Sequence, residues 1–299
     1  MNSHLNGELG IPSRVWFGQG PGGLMQAHLA FGEATASLFL QGAHLCSYKP
    51  DGQTEQLWVS NTSHYEQSKP IRGGVPVCWP WFGAHTDSAA QPQHGFARNS
   101  AFEVLATHAN EHHTSISLRL KVPETCSALA PDLTLEFSLQ LAASLSMELL
   151  TFNNGSDTVP VGAALHTYFR VAKANAICID EVTGLAYKDK TKAFSQFTQS
   201  DDLVVKGEID RVYLDPPARV SLKDPGRRQC VSVSAWGNTD LVVWNPGPDV
   251  ASAMPDFDND GYTSMVCIEP AIALDNIIHL APGERHALGQ TLHVEPYRA

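Results

Sequence analysis

No two of the six cysteines, Cys46, Cys78, Cys126, Cys178, Cys230 and Cys267, form a Cys-x-x-Cys pair, and all lie far apart along the chain. That spacing excludes the usual structural zinc sites and a compact disulfide framework. Nor is there an apolar run approaching the roughly 18 residues of a membrane-spanning helix, and Met1 to Gly22 holds no basic stretch followed by an apolar one. Positive charge is scarce: 20 Lys and Arg stand against 31 Asp and Glu, a net charge of −11. Nucleic-acid surfaces need a basic stripe to displace counterions, so that class is excluded. The expected setting is soluble, reducing and cytoplasmic, with neither membrane nor nucleic-acid partners. Internal repeats, low-complexity tracts and linkers are also missing. With 299 residues and 43% hydrophobic content, residues 1–299 are expected to form one domain with a sizeable core.

What is present has a period of two. Ile116, Leu118, Leu120 and Val122 alternate with Ser115, Ser117, Arg119 and Lys121, and Leu133, Leu135, Phe137, Leu139 and Leu141 alternate with Thr134, Glu136, Ser138 and Gln140. Such alternation gives a strand one apolar and one polar face, the signature of antiparallel sheets. Segments 231–236, 241–244, 265–269 and 291–294 also read as strands, and Asn153-Asn-Gly-Ser156 reads as a turn. Gly18-Gln-Gly-Pro-Gly-Gly23 formally matches a dinucleotide-binding glycine pattern, but Pro21 interrupts it and strand-like sequence follows, so a turn is expected. No long amphipathic helix is visible, and Asn245 to Gly261 is expected to be a loop. Many short strands separated by turns imply an all-β sandwich or barrel.

The stretch from Pro70 to Arg98 carries most of the polar chemistry. Pro70-Ile-Arg-Gly-Gly-Val-Pro-Val-Cys-Trp-Pro-Trp-Phe-Gly83 and Gln93-His-Gly-Phe-Ala-Arg98 combine two arginines, two tryptophans and a histidine with Gly and Pro punctuation. Glycine permits positive φ and proline fixes φ, so an irregular but rigid segment is expected. Arg72, His94 and Arg98 are donors suited to an oxygen-rich, anionic ligand; surface ion pairing is the ordinary alternative. Trp79 and Trp81 suit either core or a wall against a sugar ring.

Three further positions interrupt strand-like patterns. In Ala164 to Val171, His166 shares a face with Tyr168 and Arg170, opposite Leu165, Thr167 and Phe169. Glu269 shares a face with Met265 and Cys267, and apolar neighbours raise a carboxylate's pKa toward the range of a base working near neutrality. Asp210 precedes a short apolar strand. Each alone is more often structural than catalytic. His108, His112 and His113 flank a polar turn and lack a third ligand at any recognised spacing, so no metal site is expected there.

Arg72-Gly-Gly-Val-Pro-Val-Cys-Trp-Pro-Trp-Phe-Gly83, His94-Gly-Phe-Ala-Arg98, Leu165-His-Thr-Tyr-Phe169 and Cys267-Ile-Glu-Pro-Ala271, with Gln41-Gly-Ala-His44 and Leu57-Trp-Val-Ser60 upstream, resemble the hexose-6-phosphate mutarotase (glucose-6-phosphate 1-epimerase) branch of the aldose 1-epimerase superfamily. The resemblance implies a large antiparallel β-sandwich of the galactose mutarotase type, and interconversion of the α and β anomers of hexose 6-phosphates by a monomer without metal or other cofactor. It implies His166 as general acid at the ring oxygen and Glu269 as general base at the anomeric hydroxyl. Asp210 and His94 would hold sugar oxygens, and Arg72 and Arg98 hydroxyls and the 6-phosphate. One departure stands out: such relatives often follow Trp-Asn-Pro with a Trp and then a Lys, whereas Trp244-Asn-Pro here continues Gly247-Pro-Asp-Val-Ala-Ser-Ala-Met254. That bears on phosphate recognition, not on the acid–base pair. The alternatives are an aldose 1-epimerase acting on unphosphorylated sugars and a non-catalytic carbohydrate-binding protein.

Overall fold

The computed structural model describes residues 2–85, 90–130 and 132–297. Its described residues form two eight-stranded sheets, a four-stranded sheet and a two-stranded ribbon, and the pairings between named strands are all antiparallel. The back sheet runs Cys178–Asp180, Arg219–Asp224, Gln229–Trp236, Arg285–Pro296, Leu145–Asn153, Leu133–Leu141, Thr114–Leu120, Phe102–Ala109. The site sheet runs Ser195–Thr198, Ala186–Asp189, Ile209–Leu214, Asp240–Asn245, Met265–Ile272, Ala163–Leu165, Val77–Cys78, with Thr167–Arg170 also paired to Met265–Ile272.

The alternating residues behave as their period requires. Leu133, Leu135, Phe137, Leu139 and Leu141 are buried, while Thr134, Glu136 and Ser138 are half-buried and Gln140 is exposed. They join Leu165, Phe169, Tyr213, Leu241, Val243, Val266 and Ile268 of the site sheet in one continuous core. Burying both inner faces removes apolar surface from water at roughly 25 cal/mol per Å², the main stabilising contribution to such a sandwich. Trp79 belongs to this core, fully buried with its indole N–H donating to Thr151 Oγ1 at 3.1 Å; of the two candidate wall residues only Trp81 is left partly accessible.

All eight residues of Met265–Ile272 are buried. One face of this strand looks into the core and the other is roofed by Trp58, Tyr168, Ala251 and Phe257, so alternation is lost at the strand that carries Cys267 and Glu269. The glycine-rich stretch near the start is a turn, as expected: Val15–Gln19 leads through a 3₁₀ turn, Pro21–Gly23, into Met25–Phe31. The expected loop from Asn245 to Gly261 is corrected: Gly247–Ala253 forms an α-helix. Seven residues are too few to show a 3.6-residue period, and Gly247-Pro248 reads locally as a turn.

Candidate active site

Cross-strand pairing collects the polar residues on the outer face of the site sheet. Asp210 stands opposite Trp244, Trp244 opposite Cys267, and Cys267 opposite Tyr168, while Val242 stands opposite Glu269. Residues directly opposed across strands share a face, so Asp210, Cys267, Glu269 and Tyr168 project the same way. His166, two residues before Tyr168, sits at the break between Ala163–Leu165 and Thr167–Arg170, its backbone N–H donating to Pro76 O at 3.1 Å. Its ring stacks on Tyr168 at 4.8 Å and 10° and meets the edge of Trp244 at 6.0 Å. Two aromatic rings thereby fix the imidazole.

His166 Nδ1 lies 3.3 Å from Glu269 Oε1, with the residues 8% and 1% exposed. Burial pushes the Glu269 carboxyl well up, helped by the charge of Asp210. Burial also pushes the His166 imidazole well down, with His94, Arg98 and Arg72 acting in the same direction. Both shifts favour the neutral forms, a protonated carboxyl beside an uncharged imidazole.

Asp210 lies within the strand Ile209–Leu214, not before it. Lys190 Nζ approaches its Oδ2 at 2.8 Å, and its Oδ1 is buried without a hydrogen-bond partner. Burial raises the Asp210 carboxyl although Lys190 opposes the shift. His94 has a left-handed backbone, φ 64°, held by reciprocal bonds: its N–H donates to Gly83 O at 2.7 Å, and Gly83 N–H donates to its Nδ1 at 3.3 Å. With Nδ1 accepting, Nε2 carries the proton of the neutral ring. Burial and the charges of Arg98, Lys190 and Arg72 lower its pKa to about 3. His94 is thus a donor while neutral.

The two arginines differ. Arg72 donates from Nε to Asp256 Oδ2 and from Nη2 to Asp256 Oδ1, both at 3.2 Å, and from Nη1 to Tyr168 Oη at 3.3 Å. Its planar fork is already filled. Arg98 donates from Nη2 to Gln93 O at 2.7 Å, its Nε is buried without a partner, and among the described residues no carboxylate pairs with it. The turn Gln41-Gly-Ala-His44 supports both. A Cβ on Gly42, φ 74°, would stand 2.5 Å from Arg98 O, and His44 Nε2 donates to Gly73 O at 2.7 Å. Gly73, φ 105°, passes so close to Trp58 and Val59 that a Cβ would meet Trp58 O at 2.4 Å. The glycine pair is thus a wedge that lets Arg72 enter the site.

A cavity of about 760 Å³ opens beside the polar cluster, reaching it at His94 and Lys190 and walled by Trp81, Phe82, Phe194 and Leu274. His166 and Glu269 are not in its lining; they belong to the more deeply buried part of the same face. Asp256, Lys190 and Tyr168 were not singled out from the sequence for any role. Asp256 lies in a Pro/Asp-rich loop, and Lys190 in the polar run Lys188-Asp-Lys-Thr-Lys192, which carries no spacing signal.

Comparison with known proteins places this geometry in a family. The model of the family described as aldose 1-epimerase matches residues 25–293. A candidate glucose-6-phosphate 1-epimerase of Escherichia coli K12 is 33% identical over 243 residues, 81% of each chain. One from Cenchrus ciliaris is 34% identical over 262 residues, 83% of this chain and 78% of its own. The crystal structure of a candidate mutarotase from Salmonella typhimurium superposes with a TM-score of 0.88 at 29% identity, covering 95% of this chain and 94% of its own. The sandwich and the matched span of 25–293 agree, and the chain belongs to the aldose 1-epimerase family.

Proposed function

We propose that the protein interconverts the α and β anomers of hexose 6-phosphates, with His166 as acid and Glu269 as base. The observation that carries this reading is the 3.3 Å approach of His166 Nδ1 to Glu269 Oε1, both buried, on a face flanked by Arg72, Arg98, His94 and Lys190.

Opening the hemiacetal moves one proton off the anomeric hydroxyl and one onto the ring oxygen while the C1–O5 bond breaks. Rotation about C1–C2 and reclosure on the other face restores both. A pair holding one proton between them suits this exchange: when the proton crosses from Glu269 to His166, the carboxylate takes the hydroxyl proton as the imidazolium gives one to the ring oxygen. The roles reverse on closing, and each group contributes on the order of 10²–10⁴ in rate. Asp210 Oδ1, buried without a partner, accepts from a sugar hydroxyl, and neutral His94 donates to a sugar oxygen. Arg98, with no carboxylate partner among the described residues, supplies the charge for the phosphate, and Arg72 adds to the field with its fork held by Asp256.

One observation favours a second reading, an enzyme for unphosphorylated aldoses: the fork of Arg72, which could grip a phosphate, is already filled by Asp256. Exchange spectroscopy by NMR on glucose 6-phosphate and glucose at equal protein concentration separates the two. Faster exchange of the phosphate ester supports the first, equal or faster exchange of glucose the second. No acceleration of either, or of galactose and mannose 6-phosphates, leaves a sugar-binding protein without catalysis.

A further inference from the structure

Cys267 has no part in anomer exchange as proposed above, yet its position beside the acid–base pair is specific. It precedes Glu269 by two residues on the same strand, so both side chains leave the same face, and it stands opposite Tyr168, on which His166 stacks. One ligand atom from each of His166, Cys267 and Glu269 lies within 4.8 Å of the others, and all three residues are buried. Moreover Glu269 Oε2 is buried without a hydrogen-bond partner, and His166 Nδ1 has only the Glu269 carboxyl beside it. Orphaned polar atoms of this kind are costly to leave inside a protein.

We infer that His166, Cys267 and Glu269 form a three-ligand site for a thiophilic divalent cation such as Zn²⁺, whose binding switches the acid–base pair off. The inhibition rests on the proposed roles of His166 and Glu269; the binding does not. The dimensions fit. Tetrahedral zinc with bonds of roughly 2.0–2.3 Å sets its ligand atoms about 3.4–3.6 Å apart, and Nδ1 and Oε1 already stand 3.3 Å apart. The remaining edges need a contraction of up to about 1.4 Å from the 4.8 Å bound, within reach of a rotamer adjustment.

The charges fit as well. Cation binding displaces one proton from the thiol and one from the carboxyl, and the thiolate and carboxylate together cancel the charge of M²⁺. A neutral cluster is the only kind that burial at this depth favours. Arg72, Arg98 and Lys190 oppose any divalent ion; the thiolate selects among them, since Mg²⁺ keeps its waters and prefers oxygen while a softer cation bonds to sulfur. Three protein ligands leave a fourth position open. Both groups that must give and take protons are then tied to metal, so exchange stops.

The test is a titration of the full-length protein with Co²⁺, whose thiolate charge-transfer and tetrahedral ligand-field bands report sulfur bonding without any assay of activity. One equivalent is expected to give these bands, and Zn²⁺ to displace it. Cys267→Ala is expected to lose the sulfur band, and Glu269→Gln to weaken binding by at least about tenfold, a second variant that keeps the thiol in case the first fails to fold. Cys178→Ala serves as the control, because Cys178, Asp180 and Asp202 form another group of possible ligands, half-buried to exposed, in which Lys223 already contacts Asp180. In the wild type, stoichiometric Zn²⁺ is expected to stop anomer exchange and a chelator to restore it. Sulfur bands that persist in Cys267→Ala and vanish in Cys178→Ala, or no bands at all, overturn the site. Bands that depend on Cys267 in a protein that exchanges no anomers uphold the site and overturn the proposed activity.

Discussion

Asp256 closes on Arg72 with both carboxylate oxygens, 3.2 Å from Nε and 3.2 Å from Nη2, across 184 residues of sequence. The carboxylate lies just beyond the helix Gly247–Ala253. The segment after this helix thus supplies the carboxylate that fixes the orientation of an arginine.

Asp256→Asn is therefore expected to destabilise the fold and to loosen Arg72. Both side chains are largely buried, 23% and 12% exposed. Removing one partner of a fully buried pair costs about 3–5 kcal/mol, and the residual exposure here scales that to about 2 kcal/mol. Urea unfolding of the variant reads the loss. A midpoint unchanged from the wild type would show that Tyr168 Oη alone holds the guanidinium.

The acid–base pair gives a sharper contrast between function and stability. His166→Asn and Glu269→Gln are each expected to slow anomer exchange by about 10²–10⁴. Glu269→Gln is expected to fold at least as well as the wild type, since burial pushes this carboxyl toward its neutral form and the amide is close in size. Exchange rates and urea midpoints on the same samples check both halves. A double variant that exchanges at the wild-type rate removes the pair from the mechanism.

His44 makes stability depend on pH in a definite direction. Burial lowers its pKa to about 4, against the Gly73 carbonyl, which raises it, and with the Arg98 charge adding to the depression. Above about pH 6.5 both folded and unfolded His44 are neutral, and its contribution is fully present. As pH falls from about 6.5 to about 4, the unfolded chain takes up a proton that the folded chain refuses, so stability drops by about 3 kcal/mol and then levels off. In His44→Gln, whose amide can still donate to Gly73 O, the fall over this window is expected to shrink by that amount. Buried His94 titrates in both proteins, so the difference between their pH profiles isolates His44. Parallel profiles would sink the assignment.

The fold was legible because one face of most strands packs on the core, and burial then writes a period of two into segments such as Leu133–Leu141. The same logic placed His166 with Tyr168 and Glu269 with Cys267, which is most of what the site face contains. Asp256 and Lys190 were not legible. Each meets its partner across a long loop or several strands, with no local pattern to mark it. The helix Gly247–Ala253 is too short to be periodic. The Gln41–His44 turn could be matched to similar sequences, but its physical task emerges only where Gly42 meets Arg98 and His44 meets Gly73.

Arg98 is the residue on which phosphate recognition turns. It is the site arginine without a carboxylate among the described residues, and its buried Nε has no acceptor. Its charge acts on His94 and His166 of the site, and on His44 and Cys78 as well. A charge-assisted bond to a ligand contributes about 1.5–3 kcal/mol, which corresponds to about 10–100-fold in kcat/KM. Arg98→Gln is expected to lose that factor for glucose 6-phosphate while leaving glucose nearly unchanged, because only the ester carries the anion. A lowered rate for both sugars by the same factor would place Arg98 on a hydroxyl they share and move the phosphate toward Lys190. The split between substrates, measured on one variant by one exchange experiment, decides between those positions without reference to the absolute rate.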